Sequence, residues 1–189
     1  MKDIVLIGFG GHAKSVADCI EREGKYCIKG YTELQPQQSV YPYLGTDDEL
    51  PKLYQSGIHN AIICIGYLGK GCIREKLYNK MIQIGYKFPI IADPSSIISE
   101  NVTIGDGTFI GKGVVINSEA QIGKMCIINT KSLIEHECVI GDYSHVAVGA
   151  VLCGQVTLGK GAFIGANATV IQQRHINDGA IVPAGAIIR

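Results

Sequence analysis

Residues 134–145 read Ile-Glu-His-Glu-Cys-Val-Ile-Gly-Asp-Tyr-Ser-His and hold two of the chain's five histidines. The first, His136, lies between Glu135 and Glu137. An imidazole beside a carboxylate has the parts of a general base with an orienting partner: the carboxylate fixes one ring nitrogen and the other can accept a proton. His145 follows nine residues later. Two histidines on a solvent-facing β surface with no chemistry is the plainer reading of the same residues. Their closeness to each other and to two glutamates weighs against it.

A second candidate is Gly8-Phe9-Gly10-Gly11-His12-Ala13. A glycine-rich turn that opens a helix directly after a strand presents free N–H groups and the positive end of a helix dipole to a phosphate. Ala13 stands where the dinucleotide pattern has its last glycine, and a tight turn accounts for the glycines as well as a phosphate cradle does. His59 and His175 have no supporting neighbours and are assigned to the surface.

These residues sit in two stretches with different grammar. In the first, the apolar run Ile4–Ile7 predicts a strand, and Ala13, Val16, Ala17 and Ile20 recur at helical spacing up to Gly24. Cys27-Ile28 predicts a second strand and Ala61–Ile65 a third, stopped by Gly66. Ile73, Leu77, Met81 and Ile84 predict a further helix that ends at Gly85. Strands alternating with helices mean a small parallel sheet, a Rossmann-like βαβ domain over residues 1–90. It is too short for a full dinucleotide fold and suits a mononucleotide or a nucleotide-sugar.

Pro89 to Pro94 marks the joint, and residues 91–189 follow another rule. Every sixth residue from Ile98 to Ile188 is Ile, Val or Leu, sixteen positions without a break. With aliphatics at roughly one position in four, chance does not produce this. The residue two before is usually small, as at Ala120, Cys126, Ser132, Cys138 and Ala150. The residue just after is often Gly or Asn, at 105, 111, 117, 123, 129, 141, 159, 165 and 177, which suits corners that need unusual backbone angles. Six residues per side and three sides per coil give a triangular solenoid of about 18 residues per turn, the mark of the all-β left-handed parallel β-helix. His136 and His145 then fall on different sides of one prism and meet only between prisms packed around a three-fold axis. A solenoid that serves purely as a scaffold is the alternative from another class.

Composition removes several classes. Apolar residues make up 47% and charged ones 18%, with no net charge. A disordered chain and the basic face expected of a nucleic-acid binder are both excluded. No stretch reaches the ~18 apolar residues of a membrane span, and Lys2-Asp3 leads into a strand pattern and not a secretory leader. The seven cysteines form no Cys-x-x-Cys pair, so neither a metal site nor a disulfide framework is expected. A reduced, cytoplasmic protein fits these features.

A short Rossmann-like domain opening on Gly-x-Gly-Gly-His, followed by hexapeptide repeats that carry the 134–145 segment, resembles the NeuD/PglD acyltransferases over essentially the whole chain. The resemblance implies an acetyl-CoA-dependent N-acetyltransferase acting on a nucleotide-linked amino sugar in surface glycan synthesis, with sialic acid O-acetylation as the alternative. It implies a homotrimer with active sites between subunits, and no metal. By the same resemblance, His136 is the proton acceptor, Glu137 raises its basicity, and His145 of a neighbouring subunit meets the thioester. Asn129, Gly154, Ala166 and Ala184 border acetyl-CoA, with the Gly154 N–H facing the developing oxyanion. Gly10, Gly11 and His12 match the nucleotide-sugar loop, joined in the substrate pocket by Tyr31, Thr32, Gly66 and Arg74. This chain departs from the family's pattern at Tyr31-Thr32, where an acidic pair is common, and at Gly66-Tyr67-Leu68-Gly69-Lys70. Cys138 falls at an inward small-residue position, which makes it a poor nucleophile.

Overall fold

The computed structural model describes residues 1–67 and 72–189; Leu68, Gly69 and Lys70 of the segment just named, with Gly71, lie outside the described residues. The chain divides into two compact units, one of residues 1–66 and 72–91, the other of Tyr67 with residues 92–189.

In the first unit β1 (Lys2–Ile7) lies between β2 (Tyr26–Thr32) and β3 (Asn60–Ile63), all parallel. Ile4, Val5, Leu6 and Ile7 are fully buried, as a central strand covered on both faces requires. Helix α1 (Gly11–Glu23) buries Ala13, Val16, Ala17 and Ile20 and stops at Gly24, whose N–H reaches the Ile20 carbonyl at 3.0 Å. After β3 comes α3 (Ile73–Ile84), which buries Leu77 and Met81 and ends at Gly85. Between β2 and β3 comes α2 (Leu50–Gln55), a six-residue helix that buries only Leu50 and has too few turns to show a helical period. The second strand runs well past Cys27-Ile28, and the third ends at Ile63, short of Ile65.

The second unit is the solenoid, the left-handed β-helix expected. Each side of a coil is a two-residue strand paired in parallel with the strand 18 residues on. Leu133–Ile134, for example, pairs with Val115–Ile116 before it and Val151–Leu152 after it. Successive side chains of a strand point to opposite faces, so the second residue of each pair faces inward. Ile116, Ile134, Leu152 and Val170 are accordingly fully buried, one above another. The small corner residues Ala120, Cys126, Cys138 and Ala150 are as deeply buried. Three faces result. Face 1 runs through Ile127–Ile128, His145–Val146 and Phe163–Ile164; face 2 through Leu133–Ile134 and Val151–Leu152; face 3 through Val139–Ile140 and Thr157–Leu158.

The corners work differently from the sequence reading. The glycines just after each strand do not adopt left-handed angles; they are there for space. A Cβ on Gly105 would lie 2.5 Å from the Lys124 nitrogen, and one on Gly141 2.6 Å from the Gly159 carbonyl carbon, both on the next coil. The left-handed residue comes two positions later. Glycine fills it at Gly107, Gly113, Gly149 and Gly161, but Glu119, Met125, Lys131, Glu137, Tyr143, Gln155, Asn167 and Gln173 hold it with φ from 55° to 63°. Each of these conformations costs of order 1 kcal/mol in isolation, offset here by regular bonds such as Glu137 N–H to the Ser118 carbonyl at 2.9 Å.

Among the described residues no helix is long and apolar enough to cross a membrane. The inward column carries the stability of the second unit. Ile134→Ala should destabilise it by about 2–5 kcal/mol, the range for emptying a packed aliphatic site, while Gln121→Ala on the outside should stay within about 0.5 kcal/mol. Urea denaturation of the two variants measures both.

Candidate active site

The Leu133–Ile134 strand, locked by inward-pointing Ile134, sends the chain into the corner between faces 2 and 3, where His136 lies outside the prism. Glu137 holds the left-handed corner position, φ 58°, and that turn swings its carboxylate beside the ring of the residue before it. His136 donates Nδ1–H to Glu137 Oε2 at 2.9 Å. The two flanking glutamates therefore divide their roles: Glu135 accepts the His136 backbone N–H at 3.3 Å, and only Glu137 takes the ring. Gln155, one coil on, donates its amide to the same Glu137 oxygen at 3.1 Å. The bond from His136, then that from Gln155, holds the Glu137 carboxyl below its ordinary range. With its proton on Nδ1, the imidazole is left with a free electron pair on Nε2.

That nitrogen hangs over the next coil. Gly154 is buried beneath the ring, and a Cβ there would stand 2.5 Å from His136 Nε2. Only glycine leaves room. Among the described residues, no acceptor takes the Gly154 N–H. Cys138 is fully buried, donates its thiol to the Cys153 carbonyl at 3.2 Å, and has its pKa raised by burial. It is no nucleophile.

His145 belongs to face 1 and is 7% exposed, so it is not joined to His136 within the chain. It donates Nδ1–H to the Tyr67 carbonyl at 2.5 Å, which leaves Nε2 to accept from the Asn129 amide at 3.3 Å. The Phe163 ring meets it edge-on with 5.2 Å between centroids. Tyr67 is anchored through its hydroxyl to the Gly161 carbonyl at 2.7 Å. Ala166 and Ala184 stack on adjacent coils at the corner after face 1, where the Ala166 carbonyl accepts the Gly185 N–H at 2.8 Å. Their own N–H groups find no acceptor among the described residues.

In the first unit a crevice of about 450 Å³ opens at the carboxyl ends of the strands, lined in part by Gly8, Thr32, Glu33 and Asp47. This is where open α/β sheets place ligands. The glycines of the turn separate by role. Gly8 needs its φ of 87°, and a Cβ there would sit 2.9 Å from the Ile65 side chain; a Cβ on Gly10 or Gly11 would meet nothing within 4 Å. Gly10 precedes α1 without any side-chain cap, and His12 lies in its first turn. Neither backbone angle nor packing asks for glycine at 10 and 11, which leaves the backbone there open to approach. Thr32 donates to Asp47 at 2.7 Å, and Glu33 accepts the Phe9 N–H at 3.0 Å. Tyr31 instead stacks on Phe9 at 4.2 Å and binds Gln37 through its hydroxyl, as part of the core. Arg74 is buried on α3, and Gly66 is exposed.

Residues 3–81 match the PglD N-terminal domain. The chain is similar to a histidine-to-alanine variant of GDP-perosamine N-acetyltransferase from Caulobacter crescentus, solved with CoA and GDP-perosamine. The two are 31% identical over all of this chain and 89% of that one, with a TM-score of 0.94. This chain belongs to the NeuD/PglD family of sugar acetyltransferases. The acetyltransferase domain of PglB from Neisseria gonorrhoeae is 26% identical over all of this NeuD/PglD chain and 92% of its own, at a TM-score of 0.89. WeeI from Acinetobacter baumannii, 24% identical over 99% of this chain and 96% of its own, shares the fold at 0.77.

Gln155, Glu33 and Asp47 stand in no motif of the sequence, and Tyr67 is marked there only within the departure at Gly66-Tyr67-Leu68-Gly69-Lys70. An acidic residue just after β2, about 20 residues beyond the glycine turn, was the one available signal, and it pointed to Glu33.

The Gly154 contact is testable without substrate. In Gly154→Ala the new methyl should push the imidazole aside and break its bond to Glu137. The Glu137 carboxyl, now depressed chiefly by that bond, should then titrate at higher pH. Its charged form is kept above the folded pKa and lost as pH falls through it, so Glu137 of the variant should become protonated at a higher pH than Glu137 of the parent. Carboxyl-carbon NMR titration reads this directly, and an unmoved Glu137 would mean that the ring has room to stay.

Proposed function

We propose that this enzyme transfers the acetyl group of acetyl-CoA to the amine of a nucleotide-linked amino sugar, with His136 as general base. The observation that carries the reading is the His136 ring, its Nδ1–H held by Glu137 and its Nε2 free above Gly154. The amine nitrogen attacks the thioester carbonyl carbon while His136 Nε2 takes the amine proton. The carbon–sulfur bond breaks, and the proton passes on to the departing thiolate, giving the amide and free CoA. The Gly154 N–H, which no acceptor among the described residues takes, belongs to the residue packed against the His136 ring and is suited to the oxyanion that forms between these steps. The N-acetyltransferase solved with CoA and GDP-perosamine supports an amine acceptor and a GDP-sugar.

The glycine turn supports binding of the nucleotide part, since Gly10 and Gly11 keep open a backbone that leads into the α1 N-terminus. The working form in this reading is a homotrimer. His136 and His145 stand on different faces of one prism, so a neighbouring copy must bring the second to the first. Face 2 offers the surface for it: its outward column runs Ile97, Val115, Leu133, Val151, Thr169 and Ile187, aliphatic but for Thr169, with Ile97 68% and Ile187 59% exposed. Such a column calls for cover more than face 3 does, where Thr103, Gln121, Thr157 and His175 surround a single outward aliphatic, Val139. Acetyl-CoA and sugar nucleotides place the work in the cytoplasm, in the preparation of a surface glycan.

The test is release of CoA thiol from acetyl-CoA across GDP-, UDP- and dTDP-linked amino sugars and free sialic acid. Turnover with an amino sugar is expected. Turnover with sialic acid alone would establish O-acetylation instead, and a folded chain that gives no heat with acetyl-CoA would be a scaffold. His136→Ala should lower kcat by about 10²–10⁴-fold, the usual share of a general base, with the sedimenting mass unchanged. Near-normal turnover in that variant would remove His136 from the mechanism.

A further inference from the structure

The corner that bears Glu137 continues for two more coils. Gln155 and Gln173 occupy the same left-handed position 18 and 36 residues on, with φ of 61° at both. Glycine adopts this conformation freely and fills it at Gly149, Gly161 and Gly179. A long amide is not what the backbone asks for. The side chains instead form a directed chain: Gln173 Nε2 donates to Gln155 Oε1 at 2.8 Å, Gln155 Nε2 donates to Glu137 Oε2 at 3.1 Å, and that oxygen also accepts the His136 Nδ1–H at 2.9 Å.

The direction of these bonds matters. An amide has a donor end and an acceptor end, and turned over, Gln155 would set its oxygen against the Glu137 carboxylate. By occupying Gln155 Oε1 with a donor, Gln173 leaves only the NH₂ end to face Glu137. Glu137 is exposed and flexible at its stem, and one bond to an equally exposed imidazole is weak restraint for both. A second, oriented donor restrains the carboxylate further. Bonds aligned head to tail also polarise one another.

We propose that Gln155, itself oriented by Gln173, is a positioning residue: it holds Glu137 so that His136 keeps its proton on Nδ1 and presents Nε2 to the acceptor. That Nε2 acts as the base rests on the function proposed above; the control of the tautomer does not. Left alone, an imidazole side chain carries its proton mainly on Nε2, which cannot accept another. Losing the carboxylate's hold therefore removes the competent form of the base.

The test is Gln155→Gly in the full chain, with Gln155→Leu as a variant that keeps the volume. A purely structural ladder predicts that glycine, relieved of strain in the left-handed position, leaves turnover and ring chemistry alone. Positioning predicts something else: a melting temperature equal to the parent's or higher, kcat lower by about 10-fold, a fraction of the general base's own share, and KM for acetyl-CoA unchanged. Ring ¹⁵N shifts of His136 should move toward the Nε2–H tautomer in both variants, and Gln173→Leu should move them less. Parent-like ¹⁵N shifts in Gln155→Gly would overturn the inference, as would a kcat loss accompanied by a fall in melting temperature and an unshifted tautomer. The shifts are read without substrate, so they judge the relay even if His136→Ala retains turnover and the function proposed above falls.

Discussion

One contact repeated along the chain governs the second unit: an aliphatic side chain resting on its counterpart 18 residues later, as Ile116, Ile134, Leu152 and Val170 do. Burial of a side chain of that size is worth about 1.5–3 kcal/mol. No polar bond on the outside of the prism approaches the sum of such contacts. Sliding any strand by one residue would turn the whole column outward. The interior therefore dictates the phase of every corner, and the corner dictates which atoms meet outside.

The arrangement around His136 is a consequence of that phase. His136 lies over Gly154 because the two are 18 residues apart, and Gln155 reaches Glu137 for the same reason. Exposed hydrogen bonds of this kind are screened by solvent and contribute little to stability. They choose among rotamers but could not by themselves bring two coils together. The division of labour is plain at Glu137: the backbone supplies the turn, the Ser118 carbonyl fixes it, and only then does the carboxylate find His136. At His145 the supply is different. Its ring is set by the carbonyl of Tyr67, a residue distant in sequence whose own hydroxyl is tied to Gly161 on the solenoid.

Much of this was open to reading in the residues alone. The six-residue ladder is written directly in side-chain type, and His136 and Glu137 are neighbours in sequence as well as in space. Harder to see were groups joined through the coil. Gln155 looks like any polar corner residue until the 18-residue stacking is applied with the direction of each amide. The partner of His145 is a main-chain carbonyl, which no residue type announces. The family's acidic pair aligns with Tyr31-Thr32, which hides Glu33: the strand carries Tyr31 into the core and brings the carboxylate in just after Thr32. The corner glycines answer a need for room and not for an unusual angle, two causes that a residue string does not separate. Helix α2, with a single buried residue, has no period to detect.

The equal spacing of the coils has a further consequence, for how such a chain can change its length. A residue added within a strand would throw every later side chain out of step, and one added at a corner must bulge into solvent. A whole coil, by contrast, can be gained or lost with the stacking intact on either side. Growth of this protein is thereby quantised, and residues 136–173, which carry His136, Glu137 and both amides, would travel through such changes as one inheritable block.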